Sequence, residues 1–502
     1  MKKISKYLVG LSAILLLAGC GISIDNSNSN AIASSTTFES SGSVKPSSSS
    51  VINPSSGKNS ISSSTTNAQS ELNILTINDT HGYLETGDSN SISKIAAYMD
   101  SYDENALRIS VGDMFQGTGL SNLTKGKAMI EVMNAMNIDA MVIGNHEFDW
   151  GIDTILGYFD GNEENGEANF PLLAANVVDS DSKPLPNSSP YLITNKNGLK
   201  VGLIGVIGEN LESSISASSL GGYSFLNTRP ILEKYVKELR EDEKCDIVIL
   251  GTHCGTDDNY LYSGLDIDFI FNGHTHRFEV GSNYIQAGCY AKGLGIVTLT
   301  HKNTDVTVKT ARYIYISKIN ETSSAVDAIV EKYKKSLDST LNSEITKLSS
   351  YSVDGLMNYT CKTLKDYFNV DFAFMNSGGF RNKYGWKAGM SITYNDMITM
   401  FPFDNEIKLV TMKGSQIKEL ATSLSGSDPY IVGSGEYKSV NGKMYIGDVL
   451  VEANKEYRVA AIDYIFDKEN LPFLSGTNIE YTTKYVRDIL VEDFSMHETL
   501  AL

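Results

Sequence analysis

Leu72-Asn73-Ile74-Leu75-Thr76-Ile77 runs straight into Asn78-Asp79-Thr80-His81-Gly82. An apolar stretch of this length reads as a buried strand. Past Ile77 the chain changes abruptly to residues that can hold a metal. The same unit recurs along the N-terminal half. Leu107 to Val111 leads into Gly112-Asp113, and Met141 to Ile143 into Gly144-Asn145-His146-Glu147. Ile247 to Leu250 leads into Gly251-Thr252-His253, and Phe269 to Phe271 into Asn272-Gly273-His274-Thr275-His276. Ligands gathered just past strand ends predict an open α/β sheet, whose sites form outside the carboxyl ends of its strands.

The chain has seven histidines, and five of them (His81, His146, His253, His274 and His276) stand in these junctions, which predicts a metal site rather than packing. His301 and His497 lie elsewhere. Asp79 and His81 are separated by one residue, so an extended segment points them the same way; His274 and His276 share that spacing. Glycines at 82, 112, 144, 255 and 273 allow sharp turns and close backbone approach. Carboxylates and imidazoles in this number suit two cations about 3.5–4 Å apart, which can activate water and neutralise an anionic phosphate ester. Mixed oxygen and nitrogen donors fit Zn or Mn, with Fe or Co also compatible.

The rest of the chain bounds the function. At 502 residues it exceeds one ordinary core, so two domains and a tail are expected. Met1-Lys2-Lys3, the apolar run Leu8 to Ala18 and then Gly19-Cys20 predict a signal peptide over 1–20, too short to span a bilayer stably. Leu17-Ala18-Gly19-Cys20 resembles a bacterial lipobox, which implies lipidation of Cys20 and anchoring at the extracellular face of the membrane; a plain cleaved signal or an uncleaved anchor is the alternative. Residues 21–70, rich in Ser, Asn and Thr, read as a disordered tether. Cys245, Cys254, Cys289 and Cys361 show no zinc or redox spacing and read as thiols in or beside apolar runs, one bridge remaining open. A net charge of −18 without a basic stripe argues against a nucleic-acid polymer as partner. No obligate protein partner is evident.

Taken in order, Asp-x-His, Gly-Asp, Gly-Asn-His-Glu, a separate His and Gly-His-x-His resemble the calcineurin-type metallophosphoesterases. The blocks Ile77 to Gly82, Gly112-Asp113-Met114-Phe115-Gln116-Gly117-Thr118 and Gly144 to Gly151 narrow the likeness to the 5′-nucleotidase family, and it runs from about Glu71 nearly to the end. The resemblance implies a four-layer α/β/β/α phosphoesterase domain over 71–318, a linker helix over 319–342 and an α/β substrate-binding domain over 343–502. It further implies one metal on Asp79, His81, Asp113 and His276. A second would take Asp113, Asn145, His253 and His274, with Asp113 bridging. His146 would contact the scissile phosphate, and Asp149 would orient it.

In the C-terminal half, Val370 to Met375 reads as a strand leading into Asn376-Ser377-Gly378-Gly379-Phe380-Arg381, which resembles the family's substrate loop. The likeness makes Asn376, Gly378, Gly379 and Arg381 substrate-binding, with Arg381 on phosphate. Phe401-Pro402-Phe403-Asp404-Asn405 resembles the lead into a base-stacking aromatic, which would be Phe403. The family's Gly-Gly-Asp-Gly-aromatic loop is absent; Asp463 to Phe473 occupies that region, with Phe473 as the remaining aromatic candidate. The expected activity is hydrolysis of nucleoside monophosphates, with 2′,3′-cyclic nucleotides, nucleotide sugars or another small phosphate ester as alternatives. The non-enzymatic alternative is a surface-binding lipoprotein on an inactive scaffold.

Overall fold

In a computed structural model of the chain, the described residues are 69–502 apart from 88, 382–384, 424–430 and 436. The expected signal peptide, Cys20 and nearly all of the expected tether lie outside them. Ser70, the tether's last residue, already opens the first strand, Ser70–Ile77.

Alternation along that strand sets the layering. Leu72 and Ile74 point into one core with Leu107, Ile109, Val111 and Val142, while Leu75 and Ile77 point the opposite way into another. A period of two therefore buries both faces of one sheet. This sheet has seven strands, in the order Asp305–Tyr315, Gly293–Lys302, Ser70–Ile77, Leu107–Val111, Ala140–Val142, Leu172–Leu173 and Ser188–Ser189. Its five strands from Ser70–Ile77 onward run parallel; Gly293–Lys302 runs against them, and Asp305–Tyr315 pairs antiparallel to Gly293–Lys302.

Facing it is a six-stranded sheet, in the order Phe278–Val280, Tyr284–Ala287, Phe269–Asn272, Ile247–His253, Leu199–Ile207 and Tyr191–Lys196. Leu203, Ile249 and Phe271 fill the space between the sheets; Ile204, Val248 and Leu250 face outward onto Leu232, Val236 and Leu239. Leu232 and Val236 belong to the helix Thr228–Lys237. On the far side of the first sheet lies the helix Ile92–Met99, which buries Ile92, Ile95, Ala96 and Met99 at helical spacing behind the N-cap Ser91. The layers are thus α/β/β/α, as expected.

The helix Ser324–Leu341 packs its Val326, Val330 and Leu341 into the first half's core, with Ile329, Tyr333 and Leu337 partly buried there. Ser323 occupies its N-cap position but makes no side-chain capping bond. Its backbone N–H is taken by the Ser93 hydroxyl at 3.0 Å instead. The C-terminal half has a separate core around a five-stranded mixed sheet that includes Phe372–Asn376, Glu406–Lys413 and Glu456–Ile462. The helix Tyr394–Met400 serves both cores, with Ile398 in the first and Met397 and Met400 in the second.

All four remaining cysteines are free; Cys245, Cys254 and Cys361 are buried and Cys289 is partly so. Among the described residues, no helix is long and apolar enough to cross a membrane.

Candidate metal centre

Where the strands Ser70–Ile77 and Leu107–Val111 end, their loops are laced together. The Asp79 N–H donates to Gly112 O (2.9 Å), His81 N–H to Asp113 O (3.0 Å) and Gly82 N–H to Met114 O (2.8 Å). Five of the seven candidate ligands have left-handed backbone: Asp79, His81, Asp113, His274 and His276, with φ between 49° and 76°. Such conformations cost about 1–3 kcal/mol each in a non-glycine residue and gather at functional sites. Gly112, at φ +79°, cannot be replaced cheaply, because an added Cβ would lie 2.5 Å from the His253 ring. A Cβ on Gly144 would lie 2.4 Å from Asp113 Oδ1.

These loops bring the candidate ligands together in overlapping groups: Asp79 with His81 and His276, Asp113 with His253 and His274, and His81 with Asp113 and His146. His81 Nε2 is 3.0 Å from His276 Nε2, and His253 Nε2 is 3.1 Å from Asp113 Oδ2. Asn145 joins the second group, its Oδ1 3.2 Å from His274 Nδ1. The donor chemistry fits cations. His253 Nδ1 lies 2.7 Å from the Val111 carbonyl, the partner an N–H there would take, while its fully buried Nε2 faces the Asp113 carboxylate, as a nitrogen sharing an ion with that group would. Burial and the neighbouring His146 hold His81 well below the ordinary histidine range, and burial with His253 lowers His274 to about 4. Both shifts favour the neutral ring, whereas the carboxylates Asp113 and Asp79 raise His253 to about 10 and His276 to about 9 against burial, placing a proton where a cation would compete.

His146 stands beside these groups. Its backbone N–H donates to Asp113 Oδ1 (2.8 Å), and its Nδ1 meets Asp149 Oδ2 at 2.8 Å. Burial opposes protonation of His146, but Asp149 and Asp113 outweigh it and raise its pKa. The ring stands 5.0 Å from that of His81, centroid to centroid, and Nδ1 is taken by Asp149.

Two side chains inside the quoted motifs prove structural to the site, although sequence reasoning gives them no role. Glu147, fully buried, accepts the N–H groups of Asp113 (2.8 Å), Met114 (2.9 Å) and Gly144 (2.7 Å). Burial and the nearby Asp113 raise its pKa to about 7. Asn78 donates to Asp79 Oδ2 and to Gly288 O, both at 2.6 Å. Tyr290 (φ +57°) sets its ring 5.4 Å from His81 and 5.1 Å from His276. No motif in the sequence marks it.

The C-terminal residues divide. Arg381 lines a crevice with His81, Gln116, Gly117, Tyr290 and Pro402. Phe403 lies 5.8 Å from the His146 ring, nearly parallel at 24°, and Arg381 Cζ is 4.8 Å from its centroid. In this arrangement the Phe403 ring is engaged by protein groups. Asn376 is buried with its Oδ1 unpartnered, Gly378 is exposed and Gly379 buried. The left-handed glycines of the chain do not include Gly378 or Gly379. Phe473 corrects an expectation. It is fully buried, stacked on Phe466 (5.7 Å, 20°) and edge-on to Phe374 (6.3 Å), so it is core and closed to a base.

A two-sheet α/β sandwich with carboxylates, imidazoles and an amide converging past its strand ends is the architecture of a metallophosphoesterase, a hydrolase class that uses divalent metal ions. Residues 72–278 match the family described as calcineurin-like phosphoesterase, and residues 338–475 match the 5′-nucleotidase C-terminal domain. The chain belongs to the 5′-nucleotidase family of metallophosphoesterases.

It is 28% identical over 401 residues to endonuclease YhcR of Bacillus subtilis, covering 70% of this chain but only 32% of that protein. It is 26% identical over 447 residues to a 5′-nucleotidase of Vibrio cholerae, covering 74% of this chain and 78% of the other. The fold matches a 5′-nucleotidase precursor from Thermus thermophilus with a TM-score of 0.69 at 18% identity, covering 86% of this chain and 99% of that one.

Proposed function

We propose that this chain hydrolyses nucleoside monophosphates to nucleoside and phosphate, using two divalent metal ions, Zn or Mn, outside the cell. The observation that supports this most is the His146–Asp149 pair (2.8 Å) set among the metal-competent groups with Arg381 of the other half close by. Asp79, His81, Asp113 and His276 would hold one ion, and Asp113, Asn145, His253 and His274 the other. Bound there, the ions supply a water acidic enough to deprotonate near neutral pH and positive charge for the phosphate. The protein groups do the rest. Asp149 holds His146 through Nδ1, so that Nε2 can donate to a phosphate oxygen as its charge grows. Arg381 offers two parallel N–H donors to the same group. Asn78 and Glu147 keep Asp79 and Asp113 in place.

The buried Phe473 favours a second reading of selectivity. With one aromatic of the expected base clamp in the core, discrimination between bases is weak, and 2′,3′-cyclic nucleotides or nucleotide sugars also fit. Anchoring through a lipid on Cys20 remains part of this reading on the sequence alone.

Phosphate release from AMP by residues 28–502, with Mn or Zn supplied, tests the proposal. His146→Ala is expected to lose about 10²–10⁴-fold, the scale of a positioned acid–base group. Cleavage of an aryl phosphate with AMP inert would overturn the substrate and leave the chemistry.

A further inference from the structure

The loop carrying Phe403 is anchored on both sides of that residue to a single segment of the first domain. Thr118 to Gly126 continues directly from the Asp113 loop, and Gly117 N–H donates to Asn122 Oδ1 (2.9 Å). The same Asn122 donates from Nδ2 to Pro402 O (3.0 Å) in a buried setting. Three residues on, Lys125 Nζ meets Asp404 Oδ2 at 2.6 Å and lies 5.3 Å from the Trp150 ring, next to Asp149. From the second domain, Arg487 donates to the other oxygen of Asp404 and to Phe401 O (2.9 Å). Arg381 belongs to the same assembly, its backbone N–H donating to Met400 O (2.9 Å).

We propose that Asn122, Lys125 and Asp404 form an interdomain clasp that positions Phe403 and Arg381 over His146, which makes them positioning residues for the hydrolysis and rests on the phosphoesterase reading. Ile398 and partly buried Tyr394, packed against the first core, supply an apolar anchor for the same docking. An apolar anchor alone leaves lateral freedom, whereas directed bonds at 402 and 404 fix the register of the residue between them. Fit at the contact is close: a Cβ added to Gly119 would lie 2.1 Å from Asn395 Oδ1 and 2.8 Å from Leu341 Cδ2. Lys125 is 47% exposed and Asp404 18%, so this one bond of the clasp is open to salt.

The test compares Lys125→Met, Lys125→Arg and Gly119→Ala in the full chain with Mn bound, on AMP and on p-nitrophenyl phosphate. Lys125→Met should lower kcat/KM about two- to fivefold at low salt, the range of a partly exposed ion pair, and converge on wild type as salt rises. Lys125→Arg should restore the wild-type value. Gly119→Ala, whose Cβ would meet the side-chain ends of Asn395 and Leu341, should lower kcat/KM about two- to tenfold by shifting Phe403 and Arg381, with metal content unchanged. Hydrogen exchange gives a readout independent of turnover: amides of 401–405 should exchange faster in Gly119→Ala. Wild-type kcat/KM in both Lys125→Met and Gly119→Ala, or unaltered exchange at 401–405, overturns the clasp. A wild-type chain inert on both esters defeats the hydrolytic reading instead, and exchange still decides the clasp.

Discussion

At the scale of single residues, Glu147 shows how far a ligand depends on what stands behind it. Its carboxylate gathers three backbone N–H groups, two of them 33 and 34 residues upstream, and so fixes the turn that aims Asp113. Glu147→Gln keeps the volume but sets an amide N–H2 against those donors. Loss of such a support commonly weakens a metal site 10–100-fold, so chelator competition should show a fall of that order with the fold intact. Unchanged affinity would mean that the turn holds itself. Asp149 acts in the same indirect way on His146. Asp149→Asn should lower kcat more than metal content, measured side by side.

At the scale of elements, the strand Leu107–Val111 matches the sequence to the residue, because Leu107, Ile109 and Val111 alternate with Arg108 and Ser110 at a strand's period of two and Gly112 ends the run. The ligand-bearing junctions are equally plain, since their residue types are rare and sit where apolar runs stop. The sequence pattern puts His253 past a strand end, yet the strand Ile247–His253 includes it. Gly251-Thr252 breaks the apolar run without breaking the ladder. Phe473 misleads for a different reason. Beside Pro472 in an apparent loop it looks available, and the contacts with Phe466 and with Phe374 of a distant strand show it to be core. Glu147 and Asn78 stand inside recognisable motifs, but Glu147 works through backbone N–H groups and Asn78 ties Asp79 to the backbone at Gly288, which no motif displays.

A buried carboxyl in this second core makes an element-scale prediction about pH. Asp463 opens the short helix Asp463–Phe466, accepts from Asn405 Nδ2 at 2.9 Å, and is pushed by burial from 3.8 to about 6. Its folded pKa is raised, so the folded chain favours the neutral acid. Below about pH 4 both states are protonated and the cost is absent; as pH rises from 4 through 6 the unfolded chain ionises first and stability falls, by ~3 kcal/mol in all. Urea titration of metal-free Asp463→Asn should therefore show a shallower loss between pH 4 and 7 than wild type. Parallel slopes would contradict this. Phe473→Ala should cost about 3–5 kcal/mol as a large core truncation, and leave the preference among nucleotide bases unaltered.

At the scale of the whole molecule, two cores meet at a crevice where one supplies His81 and its metal-competent neighbours and the other supplies Arg381 and Pro402, with Phe403 next in the chain against His146. With a net charge of −18, a protein proposed to act on anions must draw them in locally, through the proposed ions and Arg381. Ion binding should also stabilise the fold, because candidate ligands from five separate chain segments are tied together only when folded. At 100 times the dissociation constant the gain is about 2.7 kcal/mol, so a chelator should lower the melting temperature reversibly.

The most direct measurement titrates Mn into the metal-free chain while following both ions bound and phosphate released from AMP, with His146→Ala in parallel. Two ions per chain are predicted, with turnover appearing as the second binds and with His146→Ala binding both ions yet releasing phosphate about 10²–10⁴-fold more slowly. A fully loaded wild-type chain that frees no phosphate, or a His146→Ala variant that turns over like wild type, would contradict the account.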